Sequence, residues 1–213
     1  MSSVAVIDYG MGNLHSIAKA LQHADSNVQI HITANSDLIY NADRIVFPGV
    51  GAIRDCMQAL NQSSLAVVIK EVAQTKPFLG ICLGMQALLT HSEENANTEC
   101  LNILSGNVLR FRETLRDAEG DRLKIPHMGW NQVWQHSHPL WDKIPQSSRF
   151  YFVHSYYAQP DDIGIVAGTS DYPRAFACAL AQKNIFAVQF HPEKSQAVGL
   201  QLLENFLHWD GLV

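Results

Sequence analysis

Apolar positions follow two different periodicities along this chain. In the first half, short continuous apolar runs such as residues 4–7 and 44–47 alternate with segments in which apolar residues recur at helical spacing. One such helical stripe comprises Leu14, Ile17, Ala18 and Leu21. Short apolar runs indicate buried strands, and the spacing i, i+3, i+4, i+7 indicates an amphipathic helix. The first half therefore predicts strands that alternate with helices, which is typical of a parallel α/β sheet.

The predicted elements of the first half end in a strand and helix around Cys82. Strands are predicted at residues 4–7, 28–33 and 44–47, and in the run that follows Pro77. Helices are predicted from residue 14, across residues 65–72 and directly after Cys82, with Asn13 as a candidate N-cap of the first. The polar residues 91–99 are predicted to form a loop.

In the second half the period changes towards two, which indicates strands with an antiparallel arrangement. They are predicted at residues 108–111, 149–153, 165–167, 176–180 and 185–190, and a closing helix at residues 195–208. The charged residues 112–123 are interpreted as a solvated hairpin or excursion, and residues 132–148 as a loop with an edge strand. No linker-like composition interrupts the chain. We therefore expect one domain, residues 1–213, with three layers: a mostly parallel central sheet, flanking helices and an antiparallel extension.

Composition narrows the functional classes. The 213 residues carry a formal net charge of −5, which argues against a surface for nucleic acid or an anionic membrane. The first residues are too short an apolar run, and lack the basic residues, for a signal segment or membrane span. The four cysteines are far apart and form no C-x-x-C pair, so neither a zinc site nor a disulfide framework is expected. A reducing, cytoplasmic compartment fits best.

The candidate for nucleophilic chemistry is Cys82. It stands between Gly80 and Gly84, with the spacing of the nucleophile elbow G-x-S-x-G and sulfur in place of oxygen. The predicted position, on a turn between a buried strand and a helix, places the thiol near the positive end of the helix dipole, which favours the thiolate. The motif by itself leaves open a buried structural cysteine.

A cysteine nucleophile requires a base, and the base requires a group that orients it. His191 follows the last predicted strand, and Glu193 two residues later projects to the same side if the backbone stays extended. Other histidines compete for the role. His154 follows an aromatic strand and lines a pocket in one interpretation, and His127 is a further candidate. His136 and His138 lack further metal-ligand residues nearby and are interpreted as part of a solvated loop.

Two glycine loops follow predicted strands. Gly49 and Gly51 flank Val50, an arrangement that lets backbone N–H groups face a ligand because glycine tolerates positive φ. A plain strand-to-helix turn remains the alternative. The earlier pair, Gly10 and Gly12, lacks the third glycine of a dinucleotide loop, so a simple loop at the carboxyl edge of the sheet is favoured.

A series of motifs occurs in one order from the first strand to the last helix. They are residues 8–14 (Asp-Tyr-Gly-Met-Gly-Asn-Leu), 48–51 (Pro-Gly-Val-Gly), 80–86 (Gly-Ile-Cys-Leu-Gly-Met-Gln), 126–131 (Pro-His-Met-Gly-Trp-Asn), 151–156 (Tyr-Phe-Val-His-Ser-Tyr) and 191–195 (His-Pro-Glu-Lys-Ser). Together they resemble class I (triad) glutamine amidotransferases. More narrowly, they resemble the family of glutaminase subunits of imidazole glycerol phosphate synthase, the HisH family.

The resemblance implies a mechanism and assigns residues to it. Cys82 would attack the side-chain carboxamide of glutamine, His191 would transfer the proton to the departing ammonia, and Glu193 would orient His191. The implied oxyanion hole consists of backbone N–H groups at Val50, Gly51 and Leu83. The implied glutamine-binding positions are Gln86, Glu94, Ser155 and Tyr156. Glu94 would meet the substrate's ammonium group. No metal or cofactor is implied.

The resemblance also implies a partner. Ammonia is lost to water unless it passes directly to an acceptor site, and this family works as a heterodimer with a (βα)8-barrel cyclase subunit (HisF). The cyclase receives the ammonia and makes imidazole glycerol phosphate and an aminoimidazole ribotide in histidine biosynthesis. The residues at family positions near that interface are Asn13, Trp130 and Lys194.

Other interpretations keep the fold. A HisH-like paralogue serving another amidation, for example of bacterial surface sugars, would carry the same catalytic residues with a different barrel-type partner. A non-catalytic module is disfavoured by the intact Cys82, His191 and Glu193, and a cysteine peptidase by the glutamine-pocket matches. A pyridoxal-phosphate glutaminase is disfavoured because Pro48 to Gly51 stands where that family has Gly-Gly-Glu-Ser-Thr.

Overall fold

The computed structural model describes residues 2–112, 114–116 and 119–212. The elements up to the Cys82 turn are β1 (Ser3–Ile7), α1 (Leu14–Ala24), β2 (Gln29–Thr33), α2 (Ser36–Asn41), β3 (Arg44–Gly49), α3 (Ile53–Gln62), α4 (Leu65–Val72), β4 (Phe78–Cys82) and α5 (Leu83–Ala87). The later elements are β5 (His91–Ser92), β6 (Thr98–Glu99), β7 (Gly106–Arg110), β8 (His127–Gln132), β9 (Trp134–Gln135), β10 (Arg149–His154), β11 (Tyr156–Pro160), β12 (Val166–Asp171), β13 (Ala175–Gln182), β14 (Ile185–Val188) and α6 (Gln196–His208).

The central sheet has a parallel half and an antiparallel extension. Its strands run in the order β2-β1-β3-β4-β14-β13-β11-β7-β5-β6, and the pairs from β2 through to β14 are parallel. The pairs of β14 with β13, β13 with β11 and β11 with β7 are antiparallel. Strands β8 and β10 form a separate antiparallel pair. The α/β fold class, with a mostly parallel sheet and an antiparallel extension, is confirmed.

Both faces of the parallel strands are buried, which explains why they appear in the sequence as continuous apolar runs. In β1, Val4 and Val6 belong to one core, and Ala5 and Ile7 belong to the other. Helices α1 and α6 pack together over the first core, and helices α2, α3 and α4 cover the second. The layers therefore follow from the alternation of side chains along each strand.

The sequence pattern was wrong or incomplete at several elements. Helices α2 and α3 and strands β8 and β11 were not predicted. The segment 91–99, predicted to be a loop, contributes β5 and β6, because backbone pairing with each other and with β7 does not depend on their polar side chains. The strand predicted from Ile165 begins at Val166, because the carboxylate of Asp162 accepts the N–H of Gly164 and caps a 3-10 turn there.

The charged excursion is described only in part. Within residues 112–123, residues 113, 117 and 118 lie outside the described residues. An antiparallel bridge joins Arg116 to Arg122, and the N–H of Leu123 donates to Leu115, so the described part has the geometry of a hairpin. The segment 132–148 contains β9, which pairs only with β12 among the described strands, as an edge strand does. None of the described helices is both long and apolar enough to cross a membrane.

Helix α5 approaches β3 so closely that only glycine fits between them. A Cβ on Gly84 would lie 1.9 Å from the carbonyl oxygen of Phe47, far inside any contact that real Cβ atoms make. Because the clash is with backbone, no side-chain rotation relieves it. The absence of a side chain at Gly84 therefore fixes the position of the turn at Cys82.

We expect Gly84→Ala to lower the free energy of unfolding by about 3 kcal/mol or more, at the upper end of overpacking costs. Urea unfolding followed by circular dichroism measures this. Gly80→Ala is the matched control, because its Cβ would lie 3.2 Å from the side chains of Ala187 and Leu88 and requires only small shifts. Equal losses in the two variants would contradict this account.

Candidate active site

Cys82 occupies the turn that its sequence motif predicts. It is the last residue of β4 and directly precedes α5, with φ 54° and ψ −110°. A non-glycine residue adopts this conformation only when its surroundings impose it. Its side chain is largely buried. The first N–H groups of α5, beginning with Leu83, have no partner within the helix and are available to a ligand beside the thiol.

His191 and Glu193 form a hydrogen-bonded pair next to this turn. His191 Nδ1 lies 2.8 Å from Glu193 Oε1, and both side chains are almost fully buried. The backbone is not extended here, contrary to the expectation from the sequence. Residues Pro192–Lys194 form a 3-10 turn, which still brings the two side chains together. The backbone of His191 is held on both sides, since its N–H donates to Tyr151 O and its carbonyl accepts from Ser195 Oγ.

The electrostatic environment of His191 favours the protonated ring. Burial on its own lowers the pKa of His191, but its contacts with Cys82 and Glu193 raise the pKa to about 10. Nε2 is buried and has no hydrogen-bond partner among the described residues. Because Nδ1 faces the Glu193 carboxylate, Nε2 is the nitrogen that can exchange a proton with a group in the adjoining cavity.

The glycine loop after β3 lies beside the Cys82 turn because Gly49 pairs with Cys82 in the parallel register. Gly51 has φ +94°, the left-handed conformation that glycine adopts without cost. The loop is held at both ends. Tyr9 Oη donates to Pro48 O at 3.1 Å, and burial raises the pKa of Tyr9 so that the hydroxyl stays a donor. At the other end, the N–H of Ile53 donates to Glu94 Oε2 at 3.0 Å.

These segments enclose a cavity of about 280 Å³. It is lined by the predicted catalytic, oxyanion and substrate residues together with a few others: Val50, Gly51, Cys82, Leu83, Gln86, Glu94, Pro126, Val153, His154, Ser155, Tyr156 and His191. Residues distant in sequence thus meet around one small space. A larger cavity, about 510 Å³, lies among Arg110, Arg112, Tyr157 and Arg174, but neither Cys82 nor His191 lines it. The smaller cavity holds the chemistry.

The structure adds buried polar contacts that the sequence did not predict. Gln189 lies between Cys82 and Gln86 and is 0% exposed. His154 Nδ1 donates to Tyr156 O, and His127 Nδ1 faces His154 Nε2 at 2.8 Å. Burial lowers the pKa of His154 to about 3 and that of His127 to about 4, so both rings are neutral. The two histidines support the cavity wall rather than carry charge.

The interpretation of His136 and His138 as a solvated pair was wrong for His138. Its ring is buried against Phe186 and Trp209, and burial lowers its pKa to about 4. Its Nδ1 accepts the N–H of Leu140 and caps the following 3-10 turn. His136 is exposed, as expected. Within the described part of the chain, no group of three or more His, Cys, Asp or Glu side chains is arranged to hold a metal ion.

The predicted interface residues lie at the surface. Asn13 is exposed at the N-cap of α1, although its side chain caps no N–H of the helix. Trp130 is 43% exposed and meets the ring of Tyr151 edge-on. Lys194 is exposed, and its Nζ lies 5.8 Å from the centre of the same Tyr151 ring. Trp130 and Lys194 thus form one surface patch with Tyr151, directly outside the His191 turn.

Comparison with known proteins places this arrangement in a family. The family model "Glutamine amidotransferase class-I" matches residues 5–209. Two solved structures share the fold: PurLQS from Thermotoga maritima, with a TM-score of 0.72 at 16% identity over 97% of this chain and 98% of that one, and a putative GMP synthase protein from Thermoplasma acidophilum, with 0.69 at 23% over 98% and 93%. The chain belongs to the class I glutamine amidotransferase family.

Within that family the chain is similar to proteins of one kind. It is 64% identical over 99% of its length, and 98% of the relative's, to imidazole glycerol phosphate synthase subunit HisH of Methylococcus capsulatus. It is 60% identical over the whole of both chains to subunit HisH of Nitrosococcus oceani, and 56% identical over 99% of both to that of Pseudomonas putida. The HisH family resemblance is confirmed.

We expect Glu193→Gln to lower the pKa of His191 below its value of about 10, because the variant removes one of the two contacts that raise it. Nuclear magnetic resonance titration of the His191 ring measures the change. Cys82→Ala, which removes the other contact, is expected to shift the pKa in the same direction. Glu99→Gln, at an exposed carboxylate on β6, is the control and is expected to leave the titration unchanged. An unaltered pKa in both site variants would contradict the pairing.

Proposed function

We propose that this chain is a glutaminase subunit that hydrolyses L-glutamine to glutamate and ammonia and passes the ammonia to a cyclase subunit in histidine biosynthesis. The observation that carries the proposal is the meeting of Cys82, the His191–Glu193 pair and the Val50 loop around one small cavity. The similarity to HisH subunits over the full chain supports the pathway.

The chemistry is nucleophilic catalysis with a covalent intermediate. The sulfur of Cys82 forms a bond to the carboxamide carbon of glutamine, and the electron pair of the C=O bond moves to oxygen. When the tetrahedral intermediate collapses, the C–N bond breaks and His191 Nε2 gives its proton to the departing nitrogen, which leaves as ammonia. Water then attacks the thioester, giving a proton to His191, and releases glutamate. Glu193 keeps the imidazole oriented and stabilises its cationic form.

The negative oxygen of each tetrahedral intermediate requires donors beside the thiol. The N–H of Leu83 begins α5, and the peptides of Val50 and Gly51 lie one strand away at the paired end of β3. Removing one such donor from an oxyanion hole costs about 3 kcal/mol of transition-state stabilisation. Because the conformation of Gly51 requires glycine, this loop is where the activity is most sensitive to geometry.

Glutamine binds in the same cavity by its amino-acid end. Glu94 provides a carboxylate for the ammonium group, and Ser155 and Tyr156 line the wall that follows β10. Gln86 also lines the cavity, but its Nε2 donates to Tyr156 O and to Gln189 Oε1, so only its carbonyl oxygen remains for substrate. The cavity therefore holds glutamine with its carboxamide next to Cys82.

The partner is a (βα)8-barrel cyclase subunit, with which this chain forms a heterodimer. Subunit naming of the relatives supports a partner within a synthase. The patch of Trp130, Tyr151 and Lys194 supports its location, because an exposed tryptophan beside a cation is typical of interface anchors. Asn13 extends the surface at the start of α1, a helix that contacts the Pro192–Lys194 turn. The chain acts in the cytoplasm as one domain, and its free cysteines agree with a reducing compartment.

The decisive experiment measures glutamate release from glutamine by this chain alone, then with the cyclase subunit, and then with the cyclase and its nucleotide ligand. Strong stimulation by the loaded cyclase would support both the chemistry and the partner. Stimulation by the barrel-type subunit of another amidation, and none by the cyclase, would indicate a paralogous pathway. No release under any condition would overturn the proposal.

We expect Cys82→Ala to reduce glutamine-dependent synthesis by the complex at least about 10³-fold, because the nucleophile is lost. Synthesis supported by added ammonium salts should continue, because the cyclase itself is unaltered. Cys56→Ala, at a buried cysteine on α3 outside the cavity, is the control and should retain glutamine use. Survival of glutamine-dependent synthesis in Cys82→Ala would sink the mechanism.

We expect Trp130→Ala to weaken binding of the cyclase by about 2 kcal/mol, roughly 30-fold in Kd, as the loss of an aromatic anchor does. Isothermal titration calorimetry measures the affinity. Trp134→Ala is a matched control, since Trp134 is 42% exposed against 43% for Trp130 but lies on the edge strand β9. A larger loss from Trp134→Ala would move the interface to that edge.

A further inference from the structure

A chain of buried amides leads from the wall of the cavity to the sulfur of Cys82. Gln86 Nε2 donates to the carbonyl oxygen of Tyr156 at 3.1 Å and to Gln189 Oε1 at 2.9 Å. Gln189 Nε2 lies 3.7 Å from Cys82 Sγ, within the range of a hydrogen bond to sulfur. Gln189 is 0% exposed, so no water competes for its amide. The predicted nucleophile therefore has a fixed side-chain donor other than His191.

The orientation of each amide follows from its partners. A backbone carbonyl only accepts, so the Gln86 atom that faces Tyr156 must be the nitrogen. That nitrogen donates its second hydrogen to Gln189, so the Gln189 atom facing it must be the oxygen. The remaining end of the Gln189 amide is the N–H group, and it points to Cys82. A flipped amide would leave Gln86 and Gln189 with nitrogen facing nitrogen.

The position of Gln189 is fixed from outside this chain of amides as well. Its backbone N–H donates to Cys178 O on the neighbouring β13 at 2.8 Å. The Tyr156 carbonyl, where the chain of amides begins, also accepts from His154 Nδ1 at 2.7 Å. Both of its lone pairs are therefore occupied, which holds Gln86 in place. Gln189 presents its N–H to Cys82 without any rearrangement.

We propose that Gln189 is a further catalytic residue, whose Nε2–H group donates to Cys82 Sγ and stabilises the thiolate. The inference deepens the proposed function and rests on Cys82 as nucleophile. A hydrogen bond to a charged sulfur is stronger than one to the neutral thiol, and the buried setting increases the difference. His191 accepts the thiol proton, and Gln189 stabilises the sulfur that remains. The helix α5 has only five residues, so few aligned peptide dipoles assist at this point.

Two substitutions separate the donor from its packing. Gln189→Glu keeps an oxygen for Gln86 but replaces the N–H that faces Cys82 with an acceptor. Gln189→Met keeps the length of the side chain and removes all hydrogen bonding. The rate at which iodoacetamide alkylates Cys82 is measured against pH, with mass spectrometry of the Cys82 peptide. Burial raises the pKa of Cys56 and of Cys100 to about 12, so these thiols react little below that pH.

We expect the pH of half-maximal alkylation to rise by at least about 1 unit in Gln189→Met, and by more in Gln189→Glu, since hydrogen bonding favours the charged form. Gln86→Met, which leaves the Gln189 amide free to flip, is expected to give a smaller rise. It also decides the matter if circular dichroism shows that either Gln189 variant fails to fold. A purely structural role would change thermal stability without moving the midpoint.

A midpoint unchanged from the wild type in the folded variants would overturn the inference. Alkylation requires neither glutamine nor the cyclase, so the result is independent of the glutaminase assay. A shifted midpoint in a chain that releases no glutamate with any partner would leave the role of Gln189 standing while the proposed function fails. Glutaminase activity together with an unshifted midpoint would have the reverse meaning.

Discussion

The conformation of Cys82 depends on the close contact between the backbone of Gly84 and the carbonyl of Phe47. That contact presses the start of α5 against β3, and the parallel pairing of Gly49 with Cys82 fixes the strand from the other side. Between these restraints the Cys82 backbone has no room to relax from φ 54°. The strain is held by buried strands, so the thiol stays directed at the cavity in the free protein.

The second constraint is the order of the strands. Because β3, β4 and β14 are parallel neighbours, their carboxyl ends meet at one edge of the sheet. The first supplies the glycine loop, the second supplies Cys82, and the third leads through Gln189 to His191. A site assembled in this way depends on the register of three strands more than on any one motif. This explains why segments separated by long stretches of sequence form a cavity of only about 280 Å³.

The sequence carried the parallel half of the fold, the turn at Cys82 and the His191–Glu193 pair, because each has a local pattern. Helix α3 also has one, with Ile53, Cys56, Met57 and Leu60 at helical spacing, and it was overlooked rather than hidden. Gln189 has none: its partner Gln86 lies 103 positions away, and an amide after an apolar strand has no distinctive signature. The burial of His138 likewise depends on distant aromatic rings.

The glycine loop connects these constraints to the surroundings of the site. Its start is held by the Tyr9 hydroxyl, from the β1–α1 loop that also contains Asn13. Its end is held by Glu94, whose carboxylate accepts the first N–H of α3 and also faces the cavity. An ammonium group that reaches Glu94 competes for the same oxygen atoms. Substrate binding and the position of the loop therefore share one carboxylate, which couples them without any movement of the sheet.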